Sequence, residues 1–158
     1  MAEDEIAAIQ SATIDHLTQM SNRRGFEVLG NHVLATCARL SLPATLLFFD
    51  LDGFKQINDQ HGHSEGDRAL QRFAEAMSLT FRTSDVYARL GGDEFVVLLS
   101  NTSEPEIHAA LERLQHAIDA SNANVVPGLH LRFSAGAVTS EAGSEDIAAL
   151  LRKADQRM

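Results

Sequence analysis

The sequence contains a single cysteine, Cys37, so no internal disulfide can form, and its helix-spaced apolar neighbours make it a buried structural thiol. No stretch approaches the ~18 consecutive apolar residues that a membrane-spanning helix needs. The opening MAEDEIAAIQ is acidic, where a secretory signal is basic and then apolar. Basic residues are also in the minority, 13 against 22 acidic, for a formal net charge of −9. A surface of that sign disfavours non-specific contact with nucleic acid or anionic membrane. Internal repeats, low-complexity tracts and an evident interdomain linker are missing too. The histidines offer no set at zinc-ligand spacing, and His61 and His63 read as loop residues. These absences lead to the expectation of a soluble, cytoplasmic chain.

What is present is enough apolar sequence, 44% of 158 residues, for one core, and too little length for two ordinary domains. Helical spacing runs through Phe26, Leu29, Val33, Cys37 and Leu40, then Leu70, Phe73, Met77 and Phe81, then Ile107, Leu111, Leu114 and Ile118, then Ile147, Leu150, Leu151, Ala154 and Met158. Ser103 with Glu106 predicts a capping box, and Pro105 fits the first turn that follows it. Residues 2–14 predict a short linker helix, with the domain proper at 15–158. The near-continuous apolar run Ala44–Leu51 predicts a strand buried on both faces. Val86–Leu90 and Phe95–Leu99 flank Gly91-Gly92 as a hairpin, and Leu131, Phe133, Ala135 and Ala137 alternate as a half-buried strand. Helices covering a mixed sheet with a hairpin give an α+β class rather than a doubly wound one.

The acidic residues concentrate in two places. Asp50 and Asp52 leave the buried strand into a loop with Gly53, where carboxylates can hold a hard cation; Asp52 could equally cap the next helix. In the hairpin, Asp93 and Glu94 follow two glycines that permit tight turning and close approach of a ligand. A plain turn explains one glycine and one aspartate but not Glu94 at the head of an apolar strand.

Arg89-Leu90-Gly91-Gly92-Asp93-Glu94-Phe95 resembles the signature of the GGDEF family of diguanylate cyclases. The stretch Phe49–Asp59 resembles that family's strand and metal loop, and Gly62-His63-Ser64-Glu65-Gly66-Asp67 its GHxxGD element. Asp15-His16-Leu17-Thr18 with Asn22-Arg23-Arg24-Gly25-Phe26 resembles the entrance motif, and Ser134-Ala135-Gly136 and Ala154-Asp155 resemble later signposts. The resemblance implies a palm-like nucleotidyl cyclase fold with a mostly antiparallel five-stranded sheet. It implies a nucleotidyltransferase that joins two GTP into cyclic di-GMP, with two Mg²⁺ or Mn²⁺ ions per site. By the same resemblance Asp50, the carbonyl of Leu51, Asp93 and Glu94 are metal ligands, and Asp93 and Glu94 are catalytic. Gly53, Phe54 and Lys55 cradle phosphate, Gly91 and Gly92 line the substrate site, and Asn58 and Asp67 read guanine. Arg82 and Asp85 match the RxxD motif through which many members bind product and are inhibited.

Plainer readings exist for several of these. Lys55 could be solvated, Ser64 and Asp67 could be a helix-start pair, Asn58 could sit in a turn, and Arg82 and Asp85 could form a surface ion pair. Two positions depart from the family: Gln19-Met20 replaces its Gly-Leu, and the chain stops at Met158, before the family's Lys- and Arg-bearing helix. A truncated C-terminal end is therefore expected, as are an upstream sensory domain and a transient homodimer that brings two GTP together. The alternative function is a non-catalytic cyclic di-GMP receptor that uses the Arg82 and Asp85 site.

Overall fold

The computed structural model describes residues 3–141 and 145–157, with residues 7–11 described by backbone alone. The elements are α1 (Glu3–Thr13), α2 (Arg23–Leu40), β1 (Ala44–Leu51), α3 (Phe54–His61), α4 (His63–Thr80), β2 (Val86–Gly91), β3 (Glu94–Ser100), α5 (Glu104–Asn122), β4 (Phe133–Ser140) and α6 (Ile147–Arg157), with a 3₁₀ turn at Pro127–Leu129. The sheet has the order β2-β3-β1-β4, and every neighbouring pair is antiparallel. Among the described residues no helix is long and apolar enough to cross a membrane.

The apolar run predicted as a strand becomes β1, buried on both faces as expected. Because side chains alternate along a strand, Leu47, Phe49 and Leu51 enter a core that includes residues of α3, α4 and α5. Leu46 and Phe48 enter a second core that includes residues of α2 and α6. Phe49 meets Phe73 and Phe133 edge-on, at centroid distances of 5.9 Å for both, and Phe73 lies 4.8 Å from Phe95. This aromatic cluster lies immediately behind the ends of β1 and β3 that carry the acidic residues.

The start of α5 carries the devices that its sequence predicts, and other helix ends carry devices of their own. Ser103 and Glu106 form both halves of the capping box, with Pro105 in the first turn of α5. Asn22 caps α2 through Gly25 N–H, and α6 begins where Asn31 of α2 accepts the Ile147 N–H at 2.9 Å. The left-handed Gln19, φ 62, stands where the family has glycine, and its side chain bonds the His16 carbonyl at 2.7 Å.

Three expectations are corrected. Among the described residues the sheet has four strands and not five: four strand-like segments are legible in the sequence, and the fifth was carried only by resemblance. His61 and His63 lie not in a loop but at the end of α3 and the start of α4, which turn sharply at Gly62, φ 91. At β4 the predicted face is buried only at its start: Leu131, just before the strand, and Phe133 pack into the first core, whereas Ala135 and Ala137 are exposed and Val138 and Ser140 of the opposite face are buried. Ile107 and Leu111 of α5 leave a shallow groove over this part of the edge strand, whereas residues of α6 pack under its other face. The last predicted helical position, Met158, lies outside the described residues.

Gly136 pairs with Phe48 across β1 and β4, and a Cβ at Gly136 would run into the Phe48 ring. Gly136→Ala is expected to lower stability by about 1–3 kcal/mol, the usual cost of overpacking a filled site. Phe48→Leu in the same chain is expected to recover part of that loss relative to Phe48→Leu alone, measured by urea unfolding.

Candidate active site

The acidic residues come together because of strand register. Asp50 of β1 pairs with Glu94 of β3 on one side and with Ser134 of β4 on the other. Behind them Phe49 pairs with Phe95, so the register that sends the rings into the core puts the two carboxylates opposite each other on the other face. At the end of β2 and in the turn that follows, Gly91 and Gly92 adopt φ 144 and φ 51, conformations that side chains rarely take, and the turn presents Asp93. The Leu51 N–H donates to the Asp93 carbonyl at 3.4 Å, which joins the end of β1 directly to the hairpin turn.

Like charges opposite each other on neighbouring strands repel, and Asp50 registers this. Burial, a hydrogen bond with Asp93 and the charges of Asp93, Glu94 and Asp52 push its carboxyl from 3.8 up to about 6. Asp52 does not cap α3; it accepts a hydrogen bond from Ser134 Oγ at 2.8 Å, while its N–H donates to the Arg132 carbonyl at 2.8 Å. The donor set is hard oxygen throughout, which fits Mg²⁺ or Mn²⁺. Among the described residues no three carboxylate, imidazole or thiol groups come together as a set that could hold a metal ion by themselves. An open set also fits Mg²⁺, which is commonly held by one or two carboxylates with water and substrate phosphate completing its shell.

Beside this edge, Gly53 opens α3 at φ 73 with no side chain capping the helix. The N–H groups of the first turn, which includes Phe54 and the exposed Lys55, thus offer an anion-binding end to the helix. Asn58 lies within α3, not in a turn, and its side chain rests against Gly66 of α4, where a Cβ would displace it. Asp67 follows one residue on, exposed; neither it nor Ser64 caps α4, which has no side-chain cap. The two amide- and carboxylate-bearing residues therefore stand on successive helices, Asn58 within α3 and Asp67 in the first turns of α4.

Arg82 and Asp85 sit in the turn before β2, where the Asp85 carboxylate accepts the Arg82 N–H at 2.9 Å and lies 3.8 Å from its Nε. They line a cavity of about 220 Å³ with Arg113 and Glu106 of α5. Arg113 was not singled out from sequence, and an exposed arginine on a helix gives no local signal that a distant turn lies beside it. Ser134, known only as a signpost, and Arg89, known only as part of the signature, also turn out to contact the acidic loop and the hairpin.

The family model described as "Diguanylate cyclase, GGDEF domain" matches residues 12–158. The chain belongs to the GGDEF family. It is 37% identical to the probable diguanylate cyclase DgcC of Escherichia coli K12 over 125 residues, covering 79% of this chain and 34% of that protein. It is 33% identical to the diguanylate cyclase DosC of the same strain over 147 residues, covering 92% of this chain and 32% of that protein. The GGDEF chain thus spans about a third of the length of these curated relatives. A solved microbial GGDEF domain with bis-(3′,5′)-cyclic di-GMP superposes with a TM-score of 0.78 at 32% identity, covering 94% of this chain and 89% of that one.

The crowding at Asp50 has a measurable consequence in protein free of divalent cation. The folded state holds the Asp50 proton more tightly than the unfolded chain does, so its contribution to stability is full below about pH 4 and is lost as pH rises through about 6. Asp50→Asn is therefore expected to raise Tm at pH 8 in EDTA, by ~2–4 °C per kcal/mol of the cost of burying and crowding that charge. The gain is expected to disappear at pH 4, as checked by scanning calorimetry at both pH values.

Proposed function

We propose that this GGDEF domain condenses two GTP into cyclic di-GMP with release of two pyrophosphates. The observation that carries the reading is the undamaged hairpin, which sets Asp93 and Glu94 beside Asp50 at the open end of the sheet. Asp50, the Leu51 carbonyl, Asp93 and Glu94 would hold two Mg²⁺ or Mn²⁺ ions, which when bound lower the pKa of a 3′ hydroxyl and neutralise charge on the transferring phosphorus and leaving pyrophosphate. The N–H groups of Gly53, Phe54 and Lys55 take the phosphates, with the Lys55 ammonium adding charge. Gly91 and Gly92 leave room for the nucleotide to approach bare backbone.

Asp67 accepts from guanine N1–H and the exocyclic amine, with Asn58 beside it; adenine presents an acceptor at the corresponding ring nitrogen and is disfavoured. Each 3′ hydroxyl oxygen attacks the α-phosphorus of the other GTP, its proton leaving to Asp93 or solvent as pyrophosphate departs. One chain supplies one such site, so the two phosphodiester bonds call for two chains facing each other, and a twofold homodimer presents each GTP to its partner in the same way. The expected upstream sensor would set how often two domains meet.

Product chromatography after incubation with GTP and Mg²⁺, beside an ATP control, tests the reading. Wild-type protein is expected to yield cyclic di-GMP from GTP and no cyclic dinucleotide from ATP. Asp93→Asn and Glu94→Gln are each expected to lower turnover by about 10²-fold or more with circular dichroism unchanged. Wild-type protein that makes no cyclic dinucleotide, or variants that keep substantial turnover, would overturn it.

A second reading, product binding at the Arg82 and Asp85 turn, is favoured by the convergence of Arg82 and Arg113 on one cavity in which Glu106 is already engaged by its capping box. Two guanidinium groups suit a ligand with two phosphodiesters. Calorimetry is expected to detect cyclic di-GMP binding that Arg82→Ala or Arg113→Ala weakens at least about tenfold. Binding unchanged in both variants would remove product inhibition from this site.

A further inference from the structure

The loop between α1 and α2 has no part in the chemistry proposed above, yet it is bonded to the reactive hairpin. Its turn closes through the Asp15 N–H to the Met20 carbonyl at 2.7 Å and the Gln19 N–H to the Asp15 carbonyl at 2.8 Å. Asp15 Oδ2 accepts from both the Thr18 N–H, at 3.0 Å, and Thr18 Oγ1, at 2.7 Å. That arrangement directs Asp15 Oδ1 at Arg89, whose terminal nitrogen lies 3.0 Å away in a pair that is 17% exposed on the aspartate and 15% on the arginine. The backbone joins the same two segments: Ser21 bridges Ile14 and Ala88, and its carbonyl accepts the Arg89 N–H at 3.0 Å. The other end of the loop is anchored to α1 by Asn22, which donates from Nδ2 to the Ala12 carbonyl at 3.0 Å and from its N–H to the Thr13 carbonyl at 2.9 Å.

Arg89 uses a second arm on the hairpin itself. Its Nε donates to the Gly92 carbonyl at 2.9 Å, fixing the peptide that leads into Asp93. That peptide needs fixing. Gly91 and Gly92 both have positive φ, the pairing shifts between Arg89 and Gly91, and a Cβ on either glycine would find no atom of another part of the chain within 4 Å. Packing therefore does not hold the turn, and glycine lends it wide backbone freedom.

We propose that Arg89 is the positioning residue of the hairpin, oriented by Asp15, and that the α1–α2 loop thereby sets the pose of Asp93 and Glu94. The guanidinium bonds Asp15 and the Gly92 carbonyl and acts through that carbonyl. Only the kinetic consequence rests on the cyclase reading. A displacement of about 1 Å at a reacting group can cost on the order of 10²-fold, whereas Asn58 and Asp67 stand on α3 and α4, away from Arg89. The loss is thus expected chiefly in kcat, with the KM for GTP moving much less.

The test combines hydrogen exchange with kinetics in Arg89→Ala, Arg89→Lys and Asp15→Asn. Arg89→Ala is expected to speed exchange at residues 92–95 and 14–21 about tenfold or more while α4 and α5 exchange at the wild-type rate, and to lower kcat about tenfold or more with KM within about threefold. Arg89→Lys keeps a charge opposite Asp15 without the second arm, so the hairpin should loosen and the loop at 14–21 stay protected. Asp15→Asn should loosen both segments while Arg89 remains. Hairpin exchange at the wild-type rate in Arg89→Ala would overturn the proposal. So would a loosened hairpin with kcat unchanged, or α4 and α5 loosening in step with the hairpin. Wild-type protein without turnover would instead end the cyclase reading, and the exchange comparison would still decide whether Arg89 holds the hairpin.

Discussion

The structure depends on holding like charges together at the end of a strand that is buried on both faces. Asp50 stands across from Glu94 and close to Asp93, and burial, a hydrogen bond with Asp93 and the neighbouring charges together raise the Asp50 carboxyl to about 6. What resists this crowding lies one residue away on each strand. Phe49 and Phe95 pair across the same register, and Phe73 and Phe133 close around them. Burying each such ring stabilises the fold by about 1.5–3 kcal/mol, and a slip of one residue would exchange rings for carboxylates on the core face. Core packing and charge crowding are therefore two results of one register.

That dependence explains which parts of the fold were legible in the sequence. Ala44–Leu51 could be read because both of its faces are apolar, and α5 because its first turn carries a complete capping box. The edge strand misled. Leu131 and Phe133 do reach the core, but how far along β4 that face stays covered depends on how far α5 and α6 reach across the sheet, and that is a tertiary fact. The alanines are small enough to sit exposed over the groove beside Ile107 and Leu111, while Val138 and Ser140 turn inward. The α3–α4 corner was missed for a related reason. Gly62 breaks the helical pattern locally, so the histidines beside it look like loop residues when in fact they end one helix and begin the next.

Site residues divide in the same way. Asp93 and Glu94 announce themselves because two carboxylates after two glycines have little structural purpose. Asn58 and Asp67 do not, since a turn or a helix cap accounts for each equally well in one dimension. Only the fit of the Asn58 side chain against Gly66 gives that glycine a reason. Arg113, Arg89 and Ser134 lie further still from any local signal: each matters through a partner that is remote in sequence or through a backbone carbonyl.

The charge balance also finds its place here. A chain of net charge −9 repels a triphosphate at long range, so under the proposed function attraction has to be short-ranged and built into the site. The uncapped start of α3 supplies part of it, next to Lys55. The Arg132 guanidinium lies close to Gly53, 3.9 Å from the position a Cβ would occupy there. Arg157 lines the same cavity as Asp50 and is held at the sheet edge by the Ala137 carbonyl at 2.6 Å. These cations lie beside the carboxylates rather than paired with them, and pairing would have relieved the strain on Asp50 at the expense of the open donor set. The site keeps its acidic residues unneutralised by the protein and its helix end uncapped, an arrangement that costs stability and leaves both available to a ligand carrying phosphate and a divalent cation.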